Sequence, residues 1–494
     1  MGIRYPYAVL KVCDRAVRFM MIIIDSAVFF NFFKSTWISS WRGANLPAWF
    51  PNPVAEESNW RHRGFYDKMS VVWQFLIKKR GQGLQKSQER KKKAEVRLHK
   101  EVTMIIKPRV RNFICTTAHP EGCRESVRRQ MEYVKTKSGK NRKLRTLIIG
   151  ASTGYGLSSR ICAAWSDQAP TIGVCYEKPS VLGRTATAGW YNTAAFEQLA
   201  VRDGLYAKTI NGDAYSEQVK REAMELIRRD LGQIDLLVYS LAAPRRTMSD
   251  GTVYTSVLKT IGQPFTSKSL DLRKNVLTEK TVLPAGEEEV QATIRVMGGE
   301  DWSEWMKALQ EEDLISKDIR TIAYSYLGPE MTYPIYKEGT IGQAKEHLYQ
   351  TALQLTGEGI PAFVSVNQAV VTQSSSAIPV VPLYISLLYR IMKETGTHEG
   401  TVEQMYRLWN QYLSEKEPKT DIPNRIRLDD AEMNPDVQAK VLERWNLLRD
   451  DNLNQLADVD GYWEEFYHLF GFGYDNIDYE ADTTAERKIL SIVK

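Results

Sequence analysis

The chain has 494 residues, 43% of them apolar, which is enough to bury a sizeable core in roughly two to four domain-sized units. Its formal charge of +6 is unevenly placed: residues 1–103 carry 19 Lys/Arg against 8 Asp/Glu, and the remaining 391 residues carry 47 against 52. The part that reads as folded is therefore mildly acidic, the pI of about 8.8 is no nucleic-acid footprint, and no nucleic-acid partner is expected.

In chain order, the first feature is an apolar run, Phe19–Phe33, 15 residues long and interrupted by Asp25 and Asn31. That is short for a membrane span, and no small-residue cleavage site follows it, so no integral membrane span is expected. A Trp/Pro-rich patch (Trp41, Pro47, Trp49, Pro51, Pro53) and the basic run Gln85–Lys93 come next, with no shared helical or strand period. Lys100-Glu-Val can be encoded as a purine-rich ribosome-binding sequence just before the codon for Met104. This leads to the expectation that Met104 is the native start and that residues 1–103 are a non-native or disordered basic extension; the alternative is a genuine targeting or anchoring segment. Five cysteines (Cys13, Cys115, Cys123, Cys162, Cys175) form no C-x-x-C pair, which predicts reduced, buried thiols and a cytoplasmic protein.

From Met104 the pattern becomes regular. A strand-like stretch over Met104–Cys115 and a helix near Glu125–Lys137 precede strand candidates at 144–150, 170–176, 206–210, 234–240, 320–326 and 362–366. Amphipathic helices such as Ser216–Arg229 separate them, and this rhythm predicts an α/β fold: a Rossmann-type, doubly wound parallel sheet. A helical, substrate-covering insertion is expected at about 245–318 and a C-terminal helical extension at about 380–494, all within one enlarged domain over 104–494. In the insertion, Trp302, Trp305, Met306 and Leu309 share one helix face, a stripe that core packing explains more readily than a lipid groove does.

The most telling stretch closes the strand at 144–150: Gly150-Ala-Ser-Thr-Gly154-Tyr-Gly156. Three glycines after a buried strand let the backbone turn tightly and approach a pyrophosphate at a helix N-terminus. Glu177 falls at the tip of the next strand, where a carboxylate accepts the adenosine ribose hydroxyls and repels a 2′-phosphate, favouring NADH. The tips of the third and fourth strands carry Gly212-Asp213-Ala214 and Leu241-Ala242, candidate adenine and ribose contacts.

Chemistry at a nicotinamide needs a proton donor and a cation to hold the ribose. Tyr333-Pro-Ile-Tyr336-Lys337 followed by Lys345 offers two such pairs. Tyr333 and Lys337 have the Y-x-x-x-K spacing of short-chain dehydrogenases, but Pro334 disfavours helical geometry at Tyr333, and Gly339 and Gly342 interrupt any helix carrying Lys337. Tyr336 and Lys345, eight residues apart, form the second pair, with Lys345 in the first turns of a helix over Gly342–Leu355 and Tyr336 in the loop before it.

These residues resemble the trans-2-enoyl-ACP/CoA reductases of the tyrosine-x8-lysine type, enlarged relatives of the short-chain dehydrogenases. The likeness runs from Met104 to about Asp482. It rests on Ile105-Ile-Lys-Pro-Arg-Val, Thr117-Ala-His-Pro-Glu-Gly-Cys123, the glycine loop, Thr187-Ala-Gly-Trp-Tyr-Asn-Thr-Ala-Ala-Phe196, Tyr239-Ser-Leu-Ala, Val371-Thr-Gln373 and His398-Glu-Gly. It implies NADH contacts at Gly150, Ala151, Ser152, Thr153, Gly154 and Tyr155, at Tyr176 with Glu177, at Asp213 with Ala214, at Leu241 with Ala242, at Lys345, and at Val371, Thr372 and Gln373. It further implies Tyr336 as proton donor, Lys345 as its catalytic partner, and Tyr326 as a contact of the acyl thioester. The cofactor expected is NADH, with no metal; the substrate is an enoyl thioester on acyl carrier protein or coenzyme A; and the assembly is a monomer or weak homodimer. Two rival functions are a short-chain carbonyl reductase or alcohol dehydrogenase on the same fold, and a non-catalytic NAD-binding protein recruited through its basic front.

Overall fold

The computed structural model describes residues 103–492, apart from 112, 113, 138, 182 and 374. Expectations that fall on residues 1–102, including those for Phe19–Phe33 and Cys13, lie outside the described residues. Among the described residues no helix is long and apolar enough to cross a membrane.

Seven parallel strands make one sheet: β1 (Thr146–Ile149), β2 (Thr171–Cys175), β3 (Ala207–Asn211), β4 (Ile234–Tyr239), β5 (Ile315–Ser325), β6 (Ala362–Val366) and β7 (Arg425–Arg427). Their order across the sheet is 3-2-1-4-5-6-7, so the winding reverses between β1 and β4. Such a reversal opens a crevice at the carboxyl ends of the strands. The strands are apolar on both faces because helices cover both. In β1, Ile148 joins one apolar layer, and Leu147 and Ile149 join the other.

The first layer holds α1 (Pro120–Lys135), α2 (Gly154–Ser166) and α3 (Ala188–Arg202), through Val127, Ile161 and Phe196. The second holds α4 (Glu217–Asp230), through Ile227. The insertion after β4 opens with two antiparallel hairpins, Arg245–Thr247 with Val253–Thr255 and Phe265–Asp271 with Val276–Val282. It is helical only in its second half, α5 (Glu287–Met297) and α6 (Glu300–Glu311). Trp302, Trp305, Met306 and Leu309 of α6 are all 0% exposed and complete the second layer beside Leu348 and Leu355 of α7 (Thr340–Gly357). Each buried aromatic there contributes on the order of 2–3 kcal/mol, so the stripe is core.

The hairpin half of the insertion has a different destination. Leu270, Leu272 and Val282 pack into a third apolar cluster with α8 (Val381–Thr395), α10 (Pro435–Leu447) and α11 (Val459–His468). Helix α8 is apolar nearly all round, as a helix buried on every side must be, and it ends where Gly396 turns left-handed at φ 67°. A shorter helix, α9 (Thr401–Arg407), belongs to the first layer through Val402 and Met405.

Four elements depart from the sequence-based expectations. Met104–Cys115 is no single strand: Thr103–Met104 pairs with Thr483–Thr484, and Val110–Arg111 pairs with Ile114–Cys115. Pro108 between them has no N–H to give a ladder. Helix α1 starts at Pro120, five residues early, because the His119 ring accepts the Gly122 N–H at 3.3 Å and Pro120 suits the first helical turn. Strand β5 begins at Ile315, with a register irregularity before Arg320, and β7 lies inside the stretch expected to be helical.

Candidate active site

Because the sheet is parallel, all seven strand tips point to one edge, and the predicted residues collect there. Gly150 follows β1, Glu177 follows β2, Asp213 follows β3, Ser240–Ala242 follow β4, Tyr326 follows β5 and Val371–Gln373 follow β6. The loop after β1 is held open by its neighbours. The N–H groups of Gly150 and Ala151 donate to the Val174 carbonyl at 2.9 and 3.0 Å, and the Ser240 N–H donates to the Ile149 carbonyl at 2.9 Å.

Glycine is required at two of these positions for different reasons. Gly150 has φ +84°, and a Cβ there would stand 2.4 Å from the Ser240 carbonyl oxygen. At Gly156 a Cβ would stand 1.9 Å from the Gly150 carbonyl oxygen, so the start of α2 packs directly on the loop. Before Gly154 there is open space, with no atom within 4 Å of a Cβ. The N-cap, Thr153, gives no side-chain hydrogen bond to the first turn of α2, which carries no acidic residue either. Free N–H groups facing open space at a helix N-terminus fit a pyrophosphate.

That space is a cavity of about 1210 Å³, lined among others by Thr153, Gly154, Tyr155, Glu177, Ser240 and Val371–Gln373. Its size suits a dinucleotide with room for a substrate. Glu177 is held ready at its edge: Ser152 Oγ donates to Oε1 at 2.6 Å, and Thr187 Oγ1 donates to Oε2. Asn211, at the end of β3, fixes the backbone beneath it, accepting the Glu177 N–H at 2.7 Å and donating to the Glu177 carbonyl at 2.9 Å. Tyr176 beside it is 76% exposed, a free aromatic face. These residues fit NADH: a glycine cradle, an uncapped helix N-terminus and a carboxylate at the ribose position.

The remaining cofactor candidates are placed as follows. Asp213 Oδ1 accepts the Tyr215 N–H at 3.0 Å, and the Ala214 carbonyl accepts the Trp305 indole N–H at 3.2 Å. Past β4, Leu241 is half-buried and Ala242 exposed. Buried Val371 gives its N–H to Tyr389 Oη at 3.1 Å, and Thr372 and Ser375 close a turn with reciprocal bonds of 3.0 Å.

A second cluster forms at the end of β5. Lys345, on α7, donates to the Tyr324 carbonyl at 3.1 Å; burial is the cause that brings its ammonium down to about 8. The Tyr336 ring meets the Tyr326 ring edge-to-face with centroids 4.9 Å apart. Burial, followed by Tyr462 and Glu432, pushes the Tyr336 phenol above its ordinary value. It therefore holds its proton at neutral pH and is a donor, not a base. Tyr326, Tyr336 and Lys345 stand outside the lining of the cavity described above.

Tyr333 needs correction. It is helical, with φ −53° and ψ −40°, at the start of the turn Tyr333–Tyr336, and Tyr336 belongs to that turn and not to a loop. Pro334 is tolerated because it sits in the first turn, where its missing N–H is not needed. Lys337 Nζ stands 4.2 Å from the Tyr333 ring centroid, so this pair does share a face. Lys337 is exposed, however, whereas Tyr336 and Lys345 are partly buried. Gly342 allows the contact between turn and helix, since a Cβ there would stand 2.0 Å from the Lys337 carbonyl oxygen.

Several residues at the site carried no sequence expectation: Thr187 and Asn211 around Glu177, and Glu432 under Tyr326. Asn211 had a signal, a polar residue at a strand tip just before Gly212-Asp213. Glu432 had none.

Comparison with known proteins bears on the whole described region. Residues 105–181 match the family described as NAD(P)H binding domain of trans-2-enoyl-CoA reductase, and residues 184–414 match the trans-2-enoyl-CoA reductase catalytic region. Residues 420–483 match a family described as enoyl reductase FAD binding domain. The residues there do not fit a flavin: Trp445, Tyr462 and Phe466 turn into the third apolar cluster, and Gly471 lies against Gly122 of α1, where a Cβ would stand 1.7 Å from its oxygen. The chain is 49% identical over 391 residues to the trans-2-enoyl-CoA reductase [NADH] of Ruminiclostridium cellulolyticum, covering 78% of this chain and 99% of that one. It is 52% identical over 395 residues to the enoyl-[acyl-carrier-protein] reductase [NADH] of Flavobacterium johnsoniae, covering 79% and 100%. The crystal structure of Treponema denticola trans-2-enoyl-CoA reductase in complex with NAD superimposes with a TM-score of 0.76 at 44% identity, over 78% of this chain and 100% of that one. At these identities over nearly the whole length of the relatives, the chain belongs to the trans-2-enoyl-CoA/enoyl-ACP reductase family.

Proposed function

We propose that this chain reduces the C2–C3 double bond of trans-2-enoyl thioesters, carried on coenzyme A or acyl carrier protein, to saturated acyl thioesters. The observation that carries this is the pairing, at one sheet edge, of an NADH-fitting cradle with the protonated phenol of Tyr336, packed on Tyr326. NADH, when bound, supplies the hydride that goes to C3. Tyr336 holds the thioester oxygen through a hydrogen bond from its hydroxyl as negative charge builds there, and the resulting enolate takes up one solvent proton at C2. Lys345 is an ammonium below about pH 8, placed by the Tyr324 carbonyl to hold the ribose. Tyr326, packed edge-to-face on Tyr336, contacts the thioester. Gly150, Ala151, Ser152, Thr153, Gly154 and Tyr155 take the pyrophosphate side; Glu177 takes the ribose hydroxyls beside Tyr176; and Asp213, Ala214, Leu241, Ala242, Val371, Thr372 and Gln373 complete the cofactor wall.

The test is NADH oxidation with crotonyl-CoA by the parent chain and by Tyr336→Phe. Turnover on the enoyl thioester is expected, with a large loss in the variant and an unchanged thermal transition. Oxidation of NADH by ketones but not by enoyl thioesters would overturn the assignment in favour of a carbonyl reductase. A cytoplasmic location is part of the same proposal and is supported by the free buried thiols Cys115, Cys123, Cys162 and Cys175. So is a single reductase domain over 104–494, supported by relatives whose whole length aligns with about 391–395 residues of this chain.

A further inference from the structure

Beneath Tyr326 lies a carboxyl group whose place in the fold is unusual. Glu432 is 0% exposed, sits five residues past β7, and accepts three hydrogen bonds. Oε1 takes the Tyr326 hydroxyl at 3.0 Å and the Tyr384 hydroxyl at 2.7 Å, and Oε2 takes the Ala369 N–H at 2.6 Å. Gln438 of α10 ties the assembly together, donating to Tyr384 Oη at 3.1 Å and to the Glu432 carbonyl at 2.7 Å. Three separate elements, the tip of β5, the stretch after β6 and α8, thus converge on one side chain, while α10 holds its main chain.

No cation is among the groups that act most strongly on it. Those are burial, the two tyrosines, the Ala369 N–H and the like charge of Asp429, itself held by Arg427. Tyr336 from the helical turn, Tyr155 from α2 and Tyr389 from α8 also feel its charge. An unpaired carboxylate in an apolar interior is costly, and burial raises this one to about 7. Both of its protonation states are therefore populated under ordinary conditions.

The two states leave Tyr326 with different work. A phenol has one hydrogen to give. While Glu432 is ionised, that hydrogen is spent inward, on Oε1. Once Glu432 carries a proton, its own O–H donates to Tyr326 Oη, and the phenolic hydrogen is free to point outward. We propose that Glu432 is a positioning residue of the reduction: its protonated form turns the Tyr326 hydroxyl toward the thioester oxygen, and its ionised form turns that hydroxyl away. This rests on the thioester role given above to Tyr326. The turn takes up one proton from solvent, which stays on Glu432 and is not passed to the substrate.

The experiment compares the parent with Glu432→Gln and Tyr326→Phe at saturating NADH across pH. Each is followed by kcat and KM for crotonyl-CoA and, separately, by the NADH dissociation constant. In the parent, kcat is expected to fall about tenfold as pH rises from about 6 to about 8, with NADH binding little changed below pH 8. In Glu432→Gln, the carboxamide oxygen must face the Ala369 N–H, so its NH2 donates to the tyrosines at every pH, and the descending limb near pH 7 disappears. Tyr326→Phe removes the hydroxyl being steered, so it also lacks that limb, at a lower kcat. The parental limb persisting in either variant overturns the proposal, as does its absence from the parent. Tyr326→Phe decides the matter if Glu432→Gln fails to fold. Tyr336→Phe separates the two levels of inference: undiminished turnover there sinks the enoyl reductase site itself, whereas a damaged Tyr336→Phe beside a parental limb in Glu432→Gln sinks only the steering role.

Discussion

The cofactor cradle and the tyrosine cluster lie on the same sheet edge but are built on opposite plans. The cradle is made of backbone: seven consecutive residues, Gly150–Gly156, in which the missing side chains of Gly150 and Gly156 let main-chain atoms pack closely. The tyrosine cluster is made of side chains drawn from positions 326, 336, 345, 384 and 432, on five separate segments. A backbone site tolerates no added atoms but needs little from afar. A side-chain site tolerates small changes of shape but depends on charge and hydrogen-bond direction.

The sharpest way to break that contrast is Tyr336→Phe, which removes one oxygen and leaves the packing intact. Turnover on an enoyl thioester should fall by about 10² to 10³, with the NADH dissociation constant and thermal transition close to parental. In the cradle the smallest possible addition should hurt binding instead. Gly156→Ala forces a methyl group into the Gly150 carbonyl, and a cost of about 2–3 kcal/mol predicts NADH binding weaker by roughly 30- to 150-fold by titration calorimetry.

Glu177→Ala keeps the backbone and removes only the ribose acceptor. The ratio of NADH to NADPH efficiency should drop about tenfold, measured as kcat/KM with each cofactor. For Lys345 the lever is pH. Its value of about 8 lies below the ordinary lysine value, so the ammonium is present below pH 8 and lost above it. NADH should therefore bind a few-fold more weakly at about pH 9 than at about pH 7, and Lys345→Arg, which stays charged, should flatten that dependence. The smallest effect is expected from deleting residues 1–102, which should leave kcat on crotonyl-CoA within about twofold.

The same contrast explains what the amino-acid sequence made legible. Six of the seven strands and the glycine loop follow from short apolar runs and adjacent glycines, features whose meaning is local. Strand β7 was not legible, because Arg425-Ile-Arg427 is too short to show a period and becomes a strand only by pairing with β6. Tyr333 departs from expectation for a related reason: a proline rule that holds inside a helix does not hold at its first turn. Pro108 divides a run whose apolar pattern alone reads as extended throughout. Tyr336, Lys345 and Tyr326 were legible through their likeness to a family, since a tyrosine alone says little in a chain with 24 of them. Glu432 was legible from neither route, because it stands 106 residues from Tyr326 and only burial makes its carboxyl unusual.

Asn211 has a consequence beyond holding a loop in place. Its carboxamide grips the main chain of residue 177 by both N–H and C=O, so the frame of that strand tip does not depend on the side chain displayed from it. The choice of reductant pool is thereby uncoupled from the architecture of the fold. A lineage, or an engineer, moving this enzyme from one nicotinamide currency to the other has a single address to rewrite, on a mount that stays fixed while the side chain changes.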